Sequence, residues 1–131
     1  MRAVVVTKQG NPVTPSIRFQ TDWPDLSPPA PGWVKVKALA SAFNHMDLWV
    51  GMGIPGVNLT YPRVSGCDCC GVVDSVGQGV DPKWVGRKVI VNAATRVADP
   101  ARPGDPPGTT LAPNYELIGE HHNGMFAEYF S

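Results

Sequence analysis

Glycine and proline are the residues that most restrict what this chain can fold into. The 131-residue sequence contains 14 of each, against a combined share of about 12% in average proteins. Proline lacks a backbone N–H and clashes inside a helix, and glycine loses more conformational entropy than any other residue when it enters one. The composition therefore predicts short strands joined by turns, and it excludes large helical bundles and long coiled coils.

Length and charge narrow the class of protein further. The mass of 14.0 kDa suits one domain, and a hydrophobic content of 43% argues against disorder. Eleven basic and eleven acidic residues leave a formal net charge of zero, so no basic excess favours a nucleic-acid partner. The sequence contains no run of about 20 apolar residues and no signal-peptide core. We expect no nucleic-acid and no membrane partner.

The cysteines point to a reducing compartment. There are three of them, Cys67, Cys69 and Cys70, clustered within four positions. An odd, clustered set differs from the spread framework of a small secreted domain. Adjacent Cys69 and Cys70 would form a bridge only with strain. We therefore expect a cytoplasmic protein.

Alternation of polar and apolar residues with period two predicts a mainly β fold. Short antiparallel strands are expected at 2–6, 16–20, 33–40, 69–76, 87–92 and 125–130. A short helix is predicted over 44–50, capped by Asn44 and stopped by Gly51 and Gly53, and a long irregular loop over 95–113. The pattern favours a small barrel or sandwich. Six apolar residues are expected in its core: Val34, Val36, Val72, Val73, Val89 and Ile90.

Glycines 51, 53 and 56 match the spacing of a dinucleotide-binding loop, with Asp74 about twenty residues further on. That motif requires a strand before it and a helix that opens within it. Here a predicted helix precedes the glycines, and Pro55 and Pro62 disfavour a helix after them. We therefore interpret this segment as a loop.

Five segments, in order and spacing, resemble the N-terminal catalytic domain of the medium-chain dehydrogenase/reductases, which include zinc alcohol dehydrogenases and quinone oxidoreductases. They lie at 44–48 (Asn-His-Met-Asp-Leu), 66–73 (Gly-Cys-Asp-Cys-Cys-Gly-Val-Val), 76–77, 86–89 and 124–129. The resemblance implies a GroES-like, partly open β-barrel with short helices, which would occupy 1–131 as one domain. This agrees with the strand pattern.

The resemblance argues against zinc. Zinc-dependent members carry a ligand cysteine where this chain has Asn44 and a ligand histidine where it has Cys67. They also carry four cysteines for a structural zinc where 93–113 has none. We expect no metal. If a catalytic zinc were bound, its ligands would be His45, Cys67 and Asp68; otherwise the cysteines are small buried residues.

Asn44 and Asp47 suggest the zinc-free, quinone-reductase-like branch of this superfamily. In that interpretation Asn44 is both a catalytic and a cofactor-binding residue, which donates to the nicotinamide or to the substrate carbonyl, while His45 and Asp47 shape the pocket. The alternative is that Asn44 is a plain N-cap and Asp47 a first-turn charge. His121 and His122 are expected to be solvated loop residues.

The family's second half is a nucleotide-binding Rossmann domain, which is absent from this chain. We therefore expect the substrate-side half of an NAD(P)-dependent alcohol dehydrogenase or quinone-reductase-like oxidoreductase, acting on a small-molecule substrate and inactive in isolation. Its partner would be a nucleotide-binding domain, normally in the same chain, and a homo-oligomer is compatible with the family. The alternatives are a stand-alone, non-catalytic GroES-like interaction or metal-binding module, and a co-chaperonin subunit, for which the 44–50 helix is a poor match.

Overall fold

The computed structural model describes residues 1–96 and 115–131. This part of the chain is strand-rich and contains one α-helix, and its two short 3-10 turns lie at Thr14–Ser16 and Pro82–Trp84. In chain order its elements are β1 (Ala3–Val6), β2 (Ile17–Gln20), β3 (Val34–Ala42), α1 (His45–Met52), β4 (Arg63–Val64), β5 (Asp68–Val76), β6 (Lys88–Ile90), β7 (Ala94–Arg96), β8 (Tyr115–Leu117) and β9 (Tyr129–Phe130).

The strands form three sheets, ordered β2-β1-β4, β6-β5-β3-β9 and β7-β8. All pairings between these strands are antiparallel. The long β3–β5 pair is the centre of the second sheet, and its register shifts after Lys35 and after Ala38. No sheet closes on itself within the described ranges, so the mainly β, open architecture expected from the sequence is confirmed.

The main core lies between the long strand pair and the C-terminal segment. Its buried members are Val36, Cys69, Val73, Ile118, Met125 and Phe130. Val36 and Val73 were expected there, and Val34 and Val89 pack against the cluster while partly buried. The strand pattern therefore predicted the centre of the core correctly.

Two of the expected core residues are not in this core. Ile90 is 89% exposed, because β6 is an edge strand and successive side chains point to opposite faces. Val89 and Val91 pack against the core cluster, so Ile90 must face outward. Val72 is half-buried for the same reason, since its neighbour Val73 faces inward.

Several element boundaries also differ from the prediction. The helix continues through Gly51, where a Cβ would collide with Val13, and ends at Gly53, whose φ of 95° suits glycine. Residues 94–96 form a strand where an irregular loop was expected from 95 onward, and the rest of that loop lies outside the described residues. The last strand is confined to Tyr129–Phe130.

We expect Val73→Asp to unfold the domain, since Val73 is 2% exposed in the main core. An unpaired carboxylate there should cost about 3 kcal/mol or more. Ile90→Asp, the same type of change on the next strand, should leave the melting temperature within a few degrees. Thermal unfolding followed by circular dichroism measures both. Similar melting temperatures for Val73→Asp and the parent would contradict the core assignment.

Candidate functional site

The site is built on the N-terminus of α1, which Asn44 and Asp47 cap reciprocally. The Asn44 side-chain oxygen accepts from the Met46 N–H at 3.1 Å, and the Asp47 carboxylate accepts from the Asn44 N–H at 2.8 Å. This is a capping box, which satisfies two backbone donors that the helix leaves without partners. The N-cap predicted from the sequence is therefore present.

Asp47 also lies near the segment that precedes β5. Its carboxylate is close enough to the backbone N–H of Gly66 for that group to lower its pKa. Gly66 has a φ of 101°, and a Cβ there would collide with the Phe126 ring. Burial raises the pKa of Asp47, with a smaller contribution from the charge of Asp68, although the backbone N–H groups of Asn44 and Gly66 oppose this. The Asp47 carboxylate therefore lies beside the segment that leads to Cys67 and Asp68.

The amide of Asn44 reaches across to the first residue of β5. Its Nδ2 donates to Asp68 Oδ2 at 3.0 Å. The side-chain oxygen is already used by the helix cap, so this contact engages the other end of the amide. The two residues are 24 positions apart in the chain and are brought together by the sheet.

Cys67 lies beside this pair and is 5% exposed. Burial raises the pKa of its thiol to about 11, and the negative charges of Asp68 and Asp47 act in the same direction. The thiol is therefore protonated at neutral pH. In this state Cys67 is a weak hydrogen-bond donor and a poor nucleophile.

Asn44, Cys67 and Asp68 line one cavity of about 690 Å³. Its charged lining residues among those described are Asp68 and Glu120, both acidic. The remaining lining residues come from α1, from the turn that follows it, and from the segments next to β6, β7 and β8: Met46, Trp49, Ile54, Val57, Val91, Asn92, Ala93, Ala94 and Leu117. The result is a mostly apolar cavity with a small polar wall, the usual composition of a small-molecule site.

A second cavity, of about 680 Å³, lies on the other side of the helix start, against β1, β2 and β3. Its lining is strongly apolar and includes Phe19, Leu39, Phe43 and Leu48, all of which are exposed. Phe43, the residue directly before the helix cap, is 91% exposed. Asp47 lines this cavity and not the one that holds Asn44, so the expected site residues are divided between two cavities.

His45 lines neither of these two cavities. It is exposed, and its ring packs edge-on against Trp49 with 4.9 Å between centroids. Within residues 1–96 and 115–131, no group of three or more His, Cys, Asp or Glu side chains is arranged to hold a metal ion. The structure therefore does not bring His45 together with Cys67 and Asp68.

Sequence reasoning missed two contributors to the first cavity. Asp68 was considered only as a metal ligand, although it is the hydrogen-bond partner of Asn44. Glu120 was passed over in favour of the histidines that follow it. Glu120 lies in a turn that Arg63 holds in place by donating to the carbonyls of Glu120 and His122.

The two histidines of this turn keep similarly exposed side chains, 32% for His121 and 38% for His122. Each also has a polar partner: His121 Nδ1 accepts from the Leu117 N–H at 3.1 Å, and His122 Nε2 lies 2.7 Å from a carboxylate oxygen of Glu116.

No helix in the described ranges is both long enough and apolar enough to cross a membrane. This finding concerns helices alone.

Known proteins match the fold and the site region over most of the chain. Residues 30–131 match the alcohol dehydrogenase GroES-like domain. A zinc-type alcohol dehydrogenase-like protein of Schizosaccharomyces pombe is 32% identical over 76% of this chain, and the starvation-sensing protein RspB of Escherichia coli is 33% identical over 80%. The matched regions are only 27% and 30% of those two proteins.

Solved structures agree. An NAD-dependent alcohol dehydrogenase superposes on 99% of this chain with a TM-score of 0.77 and 36% identity, and the match covers 36% of that enzyme. A crotonyl-CoA carboxylase/reductase in complex with NADP matches 98% of this chain and 34% of its own, with a TM-score of 0.76 and 28% identity. The chain therefore belongs to the alcohol dehydrogenase GroES-like domain family, the N-terminal domain of the medium-chain dehydrogenase/reductases.

Proposed function

We propose that this chain is the substrate-side part of an NAD(P)-dependent oxidoreductase that transfers hydride between a nicotinamide cofactor and a small carbonyl, alcohol or quinone substrate. The observation that carries the proposal is the oriented Asn44 amide in the wall of the 690 Å³ cavity, within a domain of this family. When bound, the cofactor supplies or accepts the hydride, and the protein contributes binding and orientation.

Asn44 is the donor that this proposal uses. Its oxygen is engaged by the helix cap and one Nδ2 hydrogen by Asp68. The second Nδ2 hydrogen has no partner among the residues that the structure describes. An amide N–H at a cavity wall suits a carbonyl oxygen, either that of the nicotinamide carboxamide or that of the substrate. Its contribution is orientation, since a single neutral hydrogen bond adds little affinity.

Most of the cofactor contacts must come from elsewhere. The glycine-rich segment 51–56 does not fit a pyrophosphate, because Gly51 lies inside α1 and Gly53 ends that helix, so no helix N-terminus faces the glycines. We therefore propose that a nucleotide-binding domain, normally in the same protein, completes the site. The matched regions cover only about a third of the solved alcohol dehydrogenase and of the solved carboxylase/reductase, which supports this.

The second cavity, against β1, β2 and β3, supports the same proposal. It is lined by several exposed large side chains, including Phe19, Leu39 and Phe43. A contiguous apolar surface of this kind usually marks an interaction site. We propose that the rest of the protein covers it, which distinguishes an enzyme part from a stand-alone interaction module. The three free cysteines favour a reducing compartment, and we propose the cytoplasm.

We propose further that the enzyme uses no zinc. The donor set at the site does not fit the metal, because Asn44 offers a neutral amide that the helix cap and Asp68 already use. His45 packs against Trp49 and lines neither cavity. For structural zinc, 93–113 contains no cysteine.

This 131-residue chain should bind NADH and NADPH only weakly and should not turn over substrate, because no helix N-terminus faces the glycines of 51–56 in the part of the chain that the structure describes. Trp49 lies in α1 at the cavity wall, so its fluorescence reports cofactor titration. The longer protein, with its nucleotide-binding domain, should show both micromolar cofactor binding and reductase activity toward carbonyl or quinone substrates. Micromolar binding by the short chain, or inactivity of the longer one, would contradict the proposal.

Protein purified without added zinc should contain far less than one zinc per chain by elemental analysis. Added zinc should be removed by a brief treatment with a chelator, because no thiolate anchors it. Cys67→Ser should leave the zinc content unchanged. Stoichiometric, chelator-resistant zinc that disappears in Cys67→Ser would show that the thiol is a ligand after all.

Cys67 should be alkylated slowly, with a rate that rises about tenfold per pH unit between about pH 7 and pH 9 and does not level off. With a pKa of about 11, only about one thiol in a thousand is ionised at pH 8. Mass spectrometry after iodoacetamide treatment resolves the sites, and half-buried Cys70 serves as the internal reference. A plateau for Cys67 below pH 9 would contradict the assigned protonation.

A further inference from the structure

We propose that Asp68 is a positioning residue, which fixes the side-chain amide of Asn44 in the one orientation that leaves an N–H at the cavity wall. The inference rests on the proposed function of Asn44 as the hydrogen-bond donor of the site. It assigns to Asp68 a role that acts through Asn44 and requires no contact with substrate or cofactor.

Both ends of the Asn44 side-chain amide have chemically matched hydrogen-bond partners. The oxygen accepts from the Met46 N–H at 3.1 Å, and the nitrogen donates to the Asp68 carboxylate at 3.0 Å. A rotation by 180° would place the oxygen against the carboxylate and the NH₂ group against the N–H. Both contacts would then be repulsive, so Asp68 and the helix cap together select one rotamer.

The helix cap alone would not achieve this. The Met46 N–H requires only a hydrogen-bond acceptor, and the side-chain oxygen of Ser, Asp or Asn at the N-cap provides one equally well. Only Asn among these provides an amide NH₂ group, and only the Asp68 carboxylate requires that group on its side of the cavity. The pair therefore explains why an amide stands at this position, which the N-cap role by itself does not.

The position of Asp68 is fixed by the pairing of β3 with β5. Asp68 begins β5 and is the register partner of Ala42 in β3, two residues before Asn44. The same ladder therefore holds both members of the pair. The carbonyl of Gly66, two residues before Asp68, accepts from the Met125 N–H at 2.9 Å, which holds this segment against the buried C-terminal part of the core. The carboxylate of Asp68 therefore approaches Asn44 from a rigid frame, as a positioning group requires.

A positioning role of Asp68 can be separated from a contribution to the stability of the fold. Asp68 is only partly buried, and Asn44 is exposed. A single hydrogen bond between such groups adds little to stability, so its loss should barely change the melting temperature. The effect of removing Asp68 should instead appear at the Asn44 amide and in reactions that use it.

The first test follows the Asn44 side-chain NH₂ signals in the ¹⁵N-labelled chain by NMR, assigned by their loss in Asn44→Ala. In Asp68→Ala we expect the two proton shifts to move closer together and solvent exchange to accelerate. Asp68→Asn keeps an acceptor oxygen and should restore most of the separation. Asp74→Ala, which removes a carboxylate from the same strand where it pairs with Lys35, is the matched control and should change nothing. Unchanged Asn44 signals in Asp68→Ala would overturn the proposal.

The second test is a double-mutant cycle in the longer enzyme. Asp68→Ala should lower kcat on the order of tenfold to a hundredfold, the usual cost of a misplaced catalytic contact, with the KM for cofactor nearly unchanged. In the Asn44→Ala background the same substitution should have no further effect, because Asp68 acts through Asn44. Additive losses, or an Asp68→Ala enzyme as fast as the parent, would overturn the positioning role.

The two tests separate this inference from the proposed function. If the longer protein transfers no hydride at all, the proposed function fails, while the NMR experiment still decides whether Asp68 orients Asn44. If the longer protein is active and the Asn44 NMR signals do not change in Asp68→Ala, the proposed function stands and the positioning role fails.

Discussion

The antiparallel pairing of β3 with β5 is the interaction on which both the core and the site depend. At one end of the ladder Val36 opposes Val73, and both side chains enter the main core. At the other end Ala42 opposes Asp68, which places the site carboxylate next to the start of α1. The strands approach closely at Gly71, where any Cβ would collide with the backbone of Lys37. A larger residue at this glycine would therefore disturb the core and the site at once.

The register shifts in this ladder explain why one strand pair serves two different surfaces. A strict period of two would keep one face of β3 in the core along its whole length. The shifts after Lys35 and after Ala38 break that period. Beyond the second shift the side chain of Leu39 is exposed and lines the apolar cavity, not the main core. The strand thus passes from a half that packs in the main core to a half that lines a cavity.

The parts of the fold that depend on local pattern could be predicted from the sequence. Alternation located most strands, and Asn44 signalled the start of α1, because both signals lie within a few consecutive residues. The errors concern sheet position, which a local window does not contain. Ile90 is apolar and β-branched, so its sequence resembles that of a core residue, and only the edge position of β6 shows that it is exposed.

The site was predictable only in part for the same reason. Asn44 and Cys67 were selected from local motifs, but the contact between Asn44 and Asp68 spans 24 positions and leaves no periodic signal. Its existence follows from strand register, which is set by the turn lengths and bulges between the two residues. The division of Asn44 and Asp47 between two cavities is also a tertiary property, since the two residues share a single helical turn.

Electrostatics then decides what chemistry this arrangement can support. Asp47, Cys67 and Asp68 lie close enough for the carboxylates to raise the pKa of the thiol, and burial raises it further. A metal ion would reverse this logic by stabilising the thiolate, but only if it had other anionic ligands to hold it. Asn44 offers a neutral amide in that place. Placing a cysteine at position 44 alone would remove the hydrogen-bond partner of Asp68 and leave its partly buried carboxylate beside two thiols. The amide, the protonated thiol and the carboxylate are therefore one consistent set, and it is on this set that the proposal of a hydrogen-bond donor at the cavity wall rests.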